Sequence, residues 1–207
     1  VSPIDIYNGR DLVRQSSADL TDQLRNISPS FNAQRFPIAD GGTFVRAAGL
    51  RNLPPDQTLV LVNGQRRHRS ALVHIQSDPG TVNQGSQGVD FGLIPAEAIE
   101  RIEILRDGSS AHYGSDAIAG VVNIILKDRS EGISFTSQYG STYDGDGDNY
   151  RFSTNIGLPL GPTGFFNATA EYFNFDPTSR GSARPDALQV GQVLGIDQIP
   201  FDGLGQR

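Results

Sequence analysis

The stretch from Ala98 to Lys127, AIERIEILRDGSSAHYGSDAIAGVVNIILK, limits the possible folds more than any other part of the chain. A strand, a tight small-residue turn and a second strand follow one another in it with almost no slack. Ile102 and Ile104 alternate with Glu103, and Leu105 leads into Arg106, which predicts a strand with one apolar face. Asp107-Gly108 breaks it. Ser109 to Tyr113 has room for one helical turn, Gly114 suits a left-handed cap, and Ser115-Asp116 starts a further short turn. Gly120 opens the second strand, Val121 to Leu126, apolar on both faces and so predicted to be buried. Taken as elements alone, an ordinary α+β core satisfies the pattern too, because element patterns seldom fix a topology.

The order of these pieces resembles the end of the plug domain in TonB-dependent outer-membrane receptors. In that family Ile-Glu-Arg-Ile-Glu, an Arg leading into a turn, a small-residue segment closing on Tyr-Gly, and Gly-Val-Val-Asn-Ile-Ile recur in this order. Here they are Ile99 to Glu103, Arg106, Ser109 to Gly114, and Gly120 to Ile125. A second block, Thr43 to Arg67, resembles the family's Phe-Val-Arg segment followed by a strand that ends in Asn-Gly or Asp-Gly. Thr58 to Val62 is β-branched and apolar as a central strand should be, and Asn63-Gly64 is a strong turn dipeptide. Upstream, Val1 to Ile6 reads as a short strand. Leu20, Leu24 and Ile27 share one face of a helix, with Ser17 as its N-cap and Pro29 as its stop. The resemblance covers roughly Val1 to Lys127.

Beyond Lys127 the pattern changes to strict alternation. Ile133, Phe135 and Tyr139 alternate with Ser134, Thr136 and Gln138. Tyr150, Phe152, Thr154, Ile156 and Leu158 alternate with Arg151, Ser153 and Asn155, and Phe166, Ala168, Ala170 and Tyr172 with Asn167, Thr169 and Glu171. A transmembrane barrel with lipid outside and water in its lumen shows this period of two, and so does a soluble antiparallel meander with one face on a core. The position directly after the plug-like segment favours the barrel. The connections agree, since Gly140 to Asn149 is long and polar, Pro159 to Gly164 is a tight turn, and the chain past Asn174 is loop-like. The fold class expected is therefore α+β: a small mixed-sheet plug domain with short helices over residues 1–129, then the first antiparallel strands of an incomplete transmembrane β-barrel over residues 130–207.

Receptors of this type close about 22 strands around the plug, at about ten residues per strand. A chain of 207 residues is then expected to be one part of a longer receptor, starting after its leader and reaching just inside the barrel. A formal charge of −6 argues against nucleic-acid binding. The absence of Cys removes disulfides and thiolate metal sites.

The basic cluster Arg66, Arg67, His68 and Arg69 leads into the Gly/Ser/Gln-rich stretch Gln76 to Asp90. The resemblance places this loop at the outer vestibule, where a basic cluster would attract an anionic cargo. A solvated charged loop explains the same residues. Arg46 and Arg106 align with arginines the family uses to pack the plug against acidic groups of the barrel wall. On that reading their carboxylate partners lie on wall strands beyond this chain, and the alternative is two surface arginines. Asp144, Asp146 and Asp148 resemble the opening of a calcium loop, but Asn149 and Asn155 stand where a turn Gly and a bidentate Glu belong, so a polar hairpin loop fits better. His112 near Ser109, Ser110 and Asp116 lacks a nucleophile elbow. No enzyme, cofactor or metal site is expected.

The resemblance implies the N-terminal part of a TonB-dependent active transporter in the outer membrane of a Gram-negative-type bacterium. The plug would gate the lumen and touch a siderophore, cobalamin, oligosaccharide or similar cargo. The implied partners are TonB, through an N-terminal box upstream of Val1, the remaining barrel strands, outer-membrane lipid and the cargo. The alternative is a plug-like ligand-sensing or signalling module without transport.

Overall fold

The computed structural model describes residues 4–15, 17, 19–33, 44–74, 84–106 and 110–178. The first three residues of the expected N-terminal strand, the Asp107-Gly108 break with Ser109, most of the Gln76 to Asp90 stretch and the C-terminal loop past Thr178 lie outside them. Among the described residues the chain forms two compact units, residues 1–138 with 151–173, and residues 139–150 with 174–207.

The first unit is built on a five-stranded mixed sheet. Its strands are β1 (Ile4–Asn8), β4 (Thr58–Val62), β5 (Gln65–Arg66), β6 (Ile99–Leu105) and β7 (Gly120–Leu126), in the order β1-β6-β7-β4-β5. β7 runs antiparallel to β6 and parallel to β4, with Ile104 opposite Val122 and Val60 opposite Val122 from the other side. It occupies the middle of the sheet because its apolar residues serve both faces. Ile102, Ile104, Val60, Val122 and Ile124 pack into the main core with Leu12 of α1 (Gly9–Val13) and Leu20 and Leu24 of α2 (Leu20–Ile27). Leu59, Leu61, Val121 and Ala117 form a smaller cluster on the opposite face. Each fully buried Leu or Ile contributes about 1.5–3 kcal/mol, so the sheet and its helical cover supply most of the unit's stability. The short pair β2 (Phe31–Asn32) and β3 (Gly49–Leu50) closes one end, where Phe31 meets Phe91 edge-on at 5.5 Å.

Local chemistry explains where the elements stop. Asn63 and Gly64 both have positive φ, 50° and 76°, which is the type I′ turn that joins β4 to β5. The N-cap of α2 is Asp19 and not Ser17: its carboxylate accepts the Thr21 N–H at 2.7 Å. Ser17 instead accepts the Asp19 N–H at 3.2 Å and tightens the turn before the helix. A carboxylate suits this position better than a hydroxyl, since it also meets the positive end of the helix dipole. α3 (Ser110–Tyr113) is the single helical turn expected, but Gly114 after it has φ 86° and ψ −168°. That is positive φ with an extended ψ, so the chain leaves α3 without a left-handed cap.

Three long strands, β8 (Gly132–Gly140), β9 (Asn149–Leu160) and β10 (Gly164–Phe175), form a separate sheet in the order β10-β9-β8. Their burial is the reverse of a soluble meander. Arg151, Ser153 and Asn155 are buried, while Phe135 is 68% exposed and Phe166 53%. Arg151 pairs with Glu171 of β10 at 2.8 Å, and Asn155 donates to Asn167 at 2.5 Å and to Thr169 at 2.8 Å. Strands that bury polar residues and expose aromatic ones fit a barrel wall seen from its lumen side. No helix among the described residues is long and apolar enough to cross a membrane. The fold is thus the expected α+β plug with the first antiparallel strands of an unclosed barrel.

In the second unit the loop between β8 and β9 folds on itself. Thr142 donates to Asp146 through both its hydroxyl and its N–H, and Tyr139 and Tyr150 lie 5.7 Å apart. Asp146 is therefore engaged within a hairpin loop. Among the described residues no three His, Cys, Asp or Glu side chains converge on a metal position.

Candidate functional site

The four residues of the basic cluster line one cavity of about 250 Å³ with Thr58, Leu59, Val60, Val89 and Asp116. The β4–β5 turn throws Arg66 back across the sheet, and the Arg67 N–H bonds to the Val60 carbonyl at 2.9 Å. Asp116 is the partner the sequence did not suggest. It forms an ion pair with Arg66, and Arg69 stands 3.4 Å from its other oxygen. The hydrogen bond from Arg66, joined by the charges of both arginines, holds the Asp116 carboxyl below its usual range against the opposing effect of desolvation. Arg69 also donates to the Asp56 carbonyl at 2.9 Å. Two guanidinium groups thus share one carboxylate and Arg67 lines the same cavity, which leaves it net positive and suited to an anion. His74, further along, is buried, its Nε2 has no partner among the described residues, and burial lowers its pKa and so favours the neutral ring.

Arg46 and Arg106 find carboxylates inside the first unit, where wall carboxylates outside the chain were expected. Arg46 is nearly buried and bridges Asp19 and, at 2.7 Å, Asp22. It therefore clamps the start of α2 to the segment before β3. Arg106 binds Asp5 at 2.9 Å and ties the end of β6 to β1. Sequence reasoning missed both pairings because the partners stand 27 and 101 positions away.

A third arrangement joins the plug sheet to the strands that follow it. Glu97, on the short 3-10 turn Ala96–Ala98, accepts from Lys127 Nζ at 2.8 Å, Ser134 Oγ at 2.6 Å and Thr136 Oγ1 at 3.1 Å. Burial raises the Glu97 pKa, but the hydrogen bonds from Lys127, Ser134 and Thr136 and the Lys127 charge outweigh it, and the net shift is downward. A lowered folded-state pKa makes the stabilisation complete above the unfolded-state value and removes it only as pH falls through the folded one. The Asn167 side chain donates to the Arg129 carbonyl at 3.3 Å, and Gln138 donates to the Gln15 carbonyl at 3.1 Å. His112 sits exposed on α3.

A family model described as the TonB-dependent Receptor Plug Domain matches residues 1–121. The iron-regulated outer membrane virulence protein of Vibrio cholerae is 35% identical over 124 residues, covering 60% of this chain and 17% of that protein. The vitamin B12 transporter BtuB of the same species is 30% identical over 214 residues, 96% of this chain and 31% of its own length. The chain thus spans less than a third of the length of these curated relatives. Among solved structures, the siderophore receptor PirA from Acinetobacter baumannii superimposes with a TM-score of 0.60 at 27% identity, over 85% of this chain and 25% of that one. The ferric enterobactin receptor of Pseudomonas aeruginosa has the same fold, with a TM-score of 0.62 at 24% identity over 86% of this chain and 26% of that one. These shares exceed the stretch matched by the family model, so the likeness reaches into β8 to β10. The chain belongs to the plug-domain family of TonB-dependent receptors and is a protein of the outer membrane.

Proposed function

We propose that residues 1–129 are the plug and residues 130–207 the opening of the barrel of an active transporter, in which the plug gates the lumen and takes part in binding the cargo. TonB would act on a peptide N-terminal to the plug. The observation that carries the cargo side of this reading is the net-positive cavity of Arg66, Arg67, His68 and Arg69 around a single Asp116. It favours an anionic iron chelate, as taken by the siderophore receptors that share the fold, over a neutral oligosaccharide. Arg46 and Arg106 would serve the plug's seating in the barrel indirectly, by keeping α2 and β1 in place.

The test is uptake by cells whose only such receptor carries this chain. Radiolabelled iron on an anionic catecholate or hydroxamate chelate, and labelled cyanocobalamin, are supplied with and without TonB. Uptake of an anionic chelate that stops without TonB is expected, with about tenfold weaker apparent affinity when Arg66 and Arg67 are both alanine, since charge-assisted hydrogen bonds to an anion are the strong ones. Equal uptake in cells without TonB, or full affinity in the double variant, refutes the reading.

A further inference from the structure

Two of the side-chain hydrogen bonds between the plug and β8 converge on one buried carboxylate, and Gln138 adds a third to the Gln15 carbonyl. The side chains of Glu97 and Lys127 are only 5% and 9% exposed, and three donors from two different segments converge on Glu97. Ser134 and Thr136 lie two apart on β8 and so face the same side. Lys127 is set beside Glu97 by its own backbone, whose N–H bonds to the Ala98 carbonyl at 2.9 Å. Next to this group the plug stands off from β8. A cavity of about 690 Å³ opens there, lined by Arg10, Asp11 and Arg14 of the α1 region and by Glu100 and Arg129, as well as by the four bonded residues themselves. The β8 side chains that bond to the plug, Ser134, Thr136 and Gln138, are all polar, so hydrogen bonds hold the strand there. Lys127 and Ser134 are also close in sequence, which keeps the loop-closure entropy of forming the contact small.

We propose that Glu97, compensated by Lys127, is a positioning residue that staples the plug to the first strand of the barrel through the Ser134 and Thr136 hydroxyls. The inference rests on the plug-and-barrel reading above, but its consequence can be read without any cargo. A staple of this kind secures β8 locally and leaves the plug sheet intact when it is broken. The neighbouring ions Arg10, Asp11, Arg14, Glu100 and Arg129 are exposed, and Arg129 pairs with Glu100 at 3.5 Å, whereas Lys127 is the buried cation bonded to Glu97.

Amide hydrogen exchange of the 207-residue chain in detergent micelles tests it. Glu97→Gln and Lys127→Met should each speed exchange across Ser134 to Gln138 by at least about tenfold, because each leaves a buried charge unpaired. The amides of β4 and β6 should stay within about twofold of the parent. The exchanged pair, Glu97→Lys with Lys127→Glu, should restore most of the protection, since hydroxyls accept from an ammonium as readily as they donate to a carboxylate. Ser134→Ala with Thr136→Val, which leaves the ion pair untouched, should also free β8. Unchanged β8 exchange in the single variants, or equal acceleration across β4 and β6, overturns the proposal. Failure of the exchanged pair to slow β8 while β4 and β6 remain protected overturns it as well. A receptor without TonB-dependent uptake would refute the transport reading and leave these exchange results standing.

Discussion

Gly120→Val is expected to abolish the folded plug. Gly120 has φ 136°, a conformation that L side chains rarely adopt, and any Cβ there would collide with the Leu105 carbonyl oxygen and stand 2.8 Å from Leu50 Cδ1. Backbone strain of about 1–3 kcal/mol adds to overpacking of about 1–3 kcal/mol, at the first residue of the central strand. Nor can the neighbourhood shift to make room. Arg51, itself at φ 55°, donates to the carbonyls of Ala119 at 3.1 Å and Ile118 at 2.7 Å and pins the backbone just before Gly120. Circular dichroism and exchange of the variant should show no protected β7. A normally folded variant would mean that this turn is not as described.

Arg46→Ala is expected to cost about 2–3 kcal/mol, the range for losing charge-assisted hydrogen bonds that leave their acceptors behind. The carboxylates of Asp19 and Asp22 would lose their shared cation, although both are partly exposed and regain some water. Asp19 would keep its cap on the Thr21 N–H, so α2 should remain helical but detach more readily. Denaturant unfolding should then show a lower midpoint with an unchanged slope. Arg46→Lys should recover only part of the loss, because one ammonium cannot span two carboxylates as a guanidinium fork does. An alanine variant as stable as the parent would show that the clamp contributes nothing.

The strands were the most legible part of this fold. Ile99 to Leu105 and Val121 to Leu126 show their burial in their side chains, and the plug motif supplied their order along the chain but not their pairing in the sheet. The alternation after Lys127 was equally clear, but its direction was not, because a lipid-facing strand and a core-facing strand share one period. Only the burial of Arg151, Ser153 and Asn155 beside exposed Phe152 distinguishes them. What stayed hidden were partners brought together by tertiary folding: Asp116 under Arg66, Asp19 and Asp22 on Arg46, and Ser134 and Thr136 on Glu97. Glu97 reads as one more acid in a helical turn, and nothing within its own segment shows that a lysine and two hydroxyls will meet there. Ser17 and Asp19 both suit an N-cap, and the choice fell to Asp19, the one that could also receive Arg46.

The chain has no native cysteine, so single cysteines along β8 to β10 of the receptor, each carrying a small fluorophore and reconstituted in vesicles of brominated lipid, report directly which face meets the membrane. Probes at Phe135, Phe152 and Phe166 should be quenched strongly, and probes at Ser134, Ser153 and Asn167 should not. The opposite pattern, or no quenching at any of the six in a folded receptor, would contradict the assignment of these strands to a barrel wall wrapped around its plug.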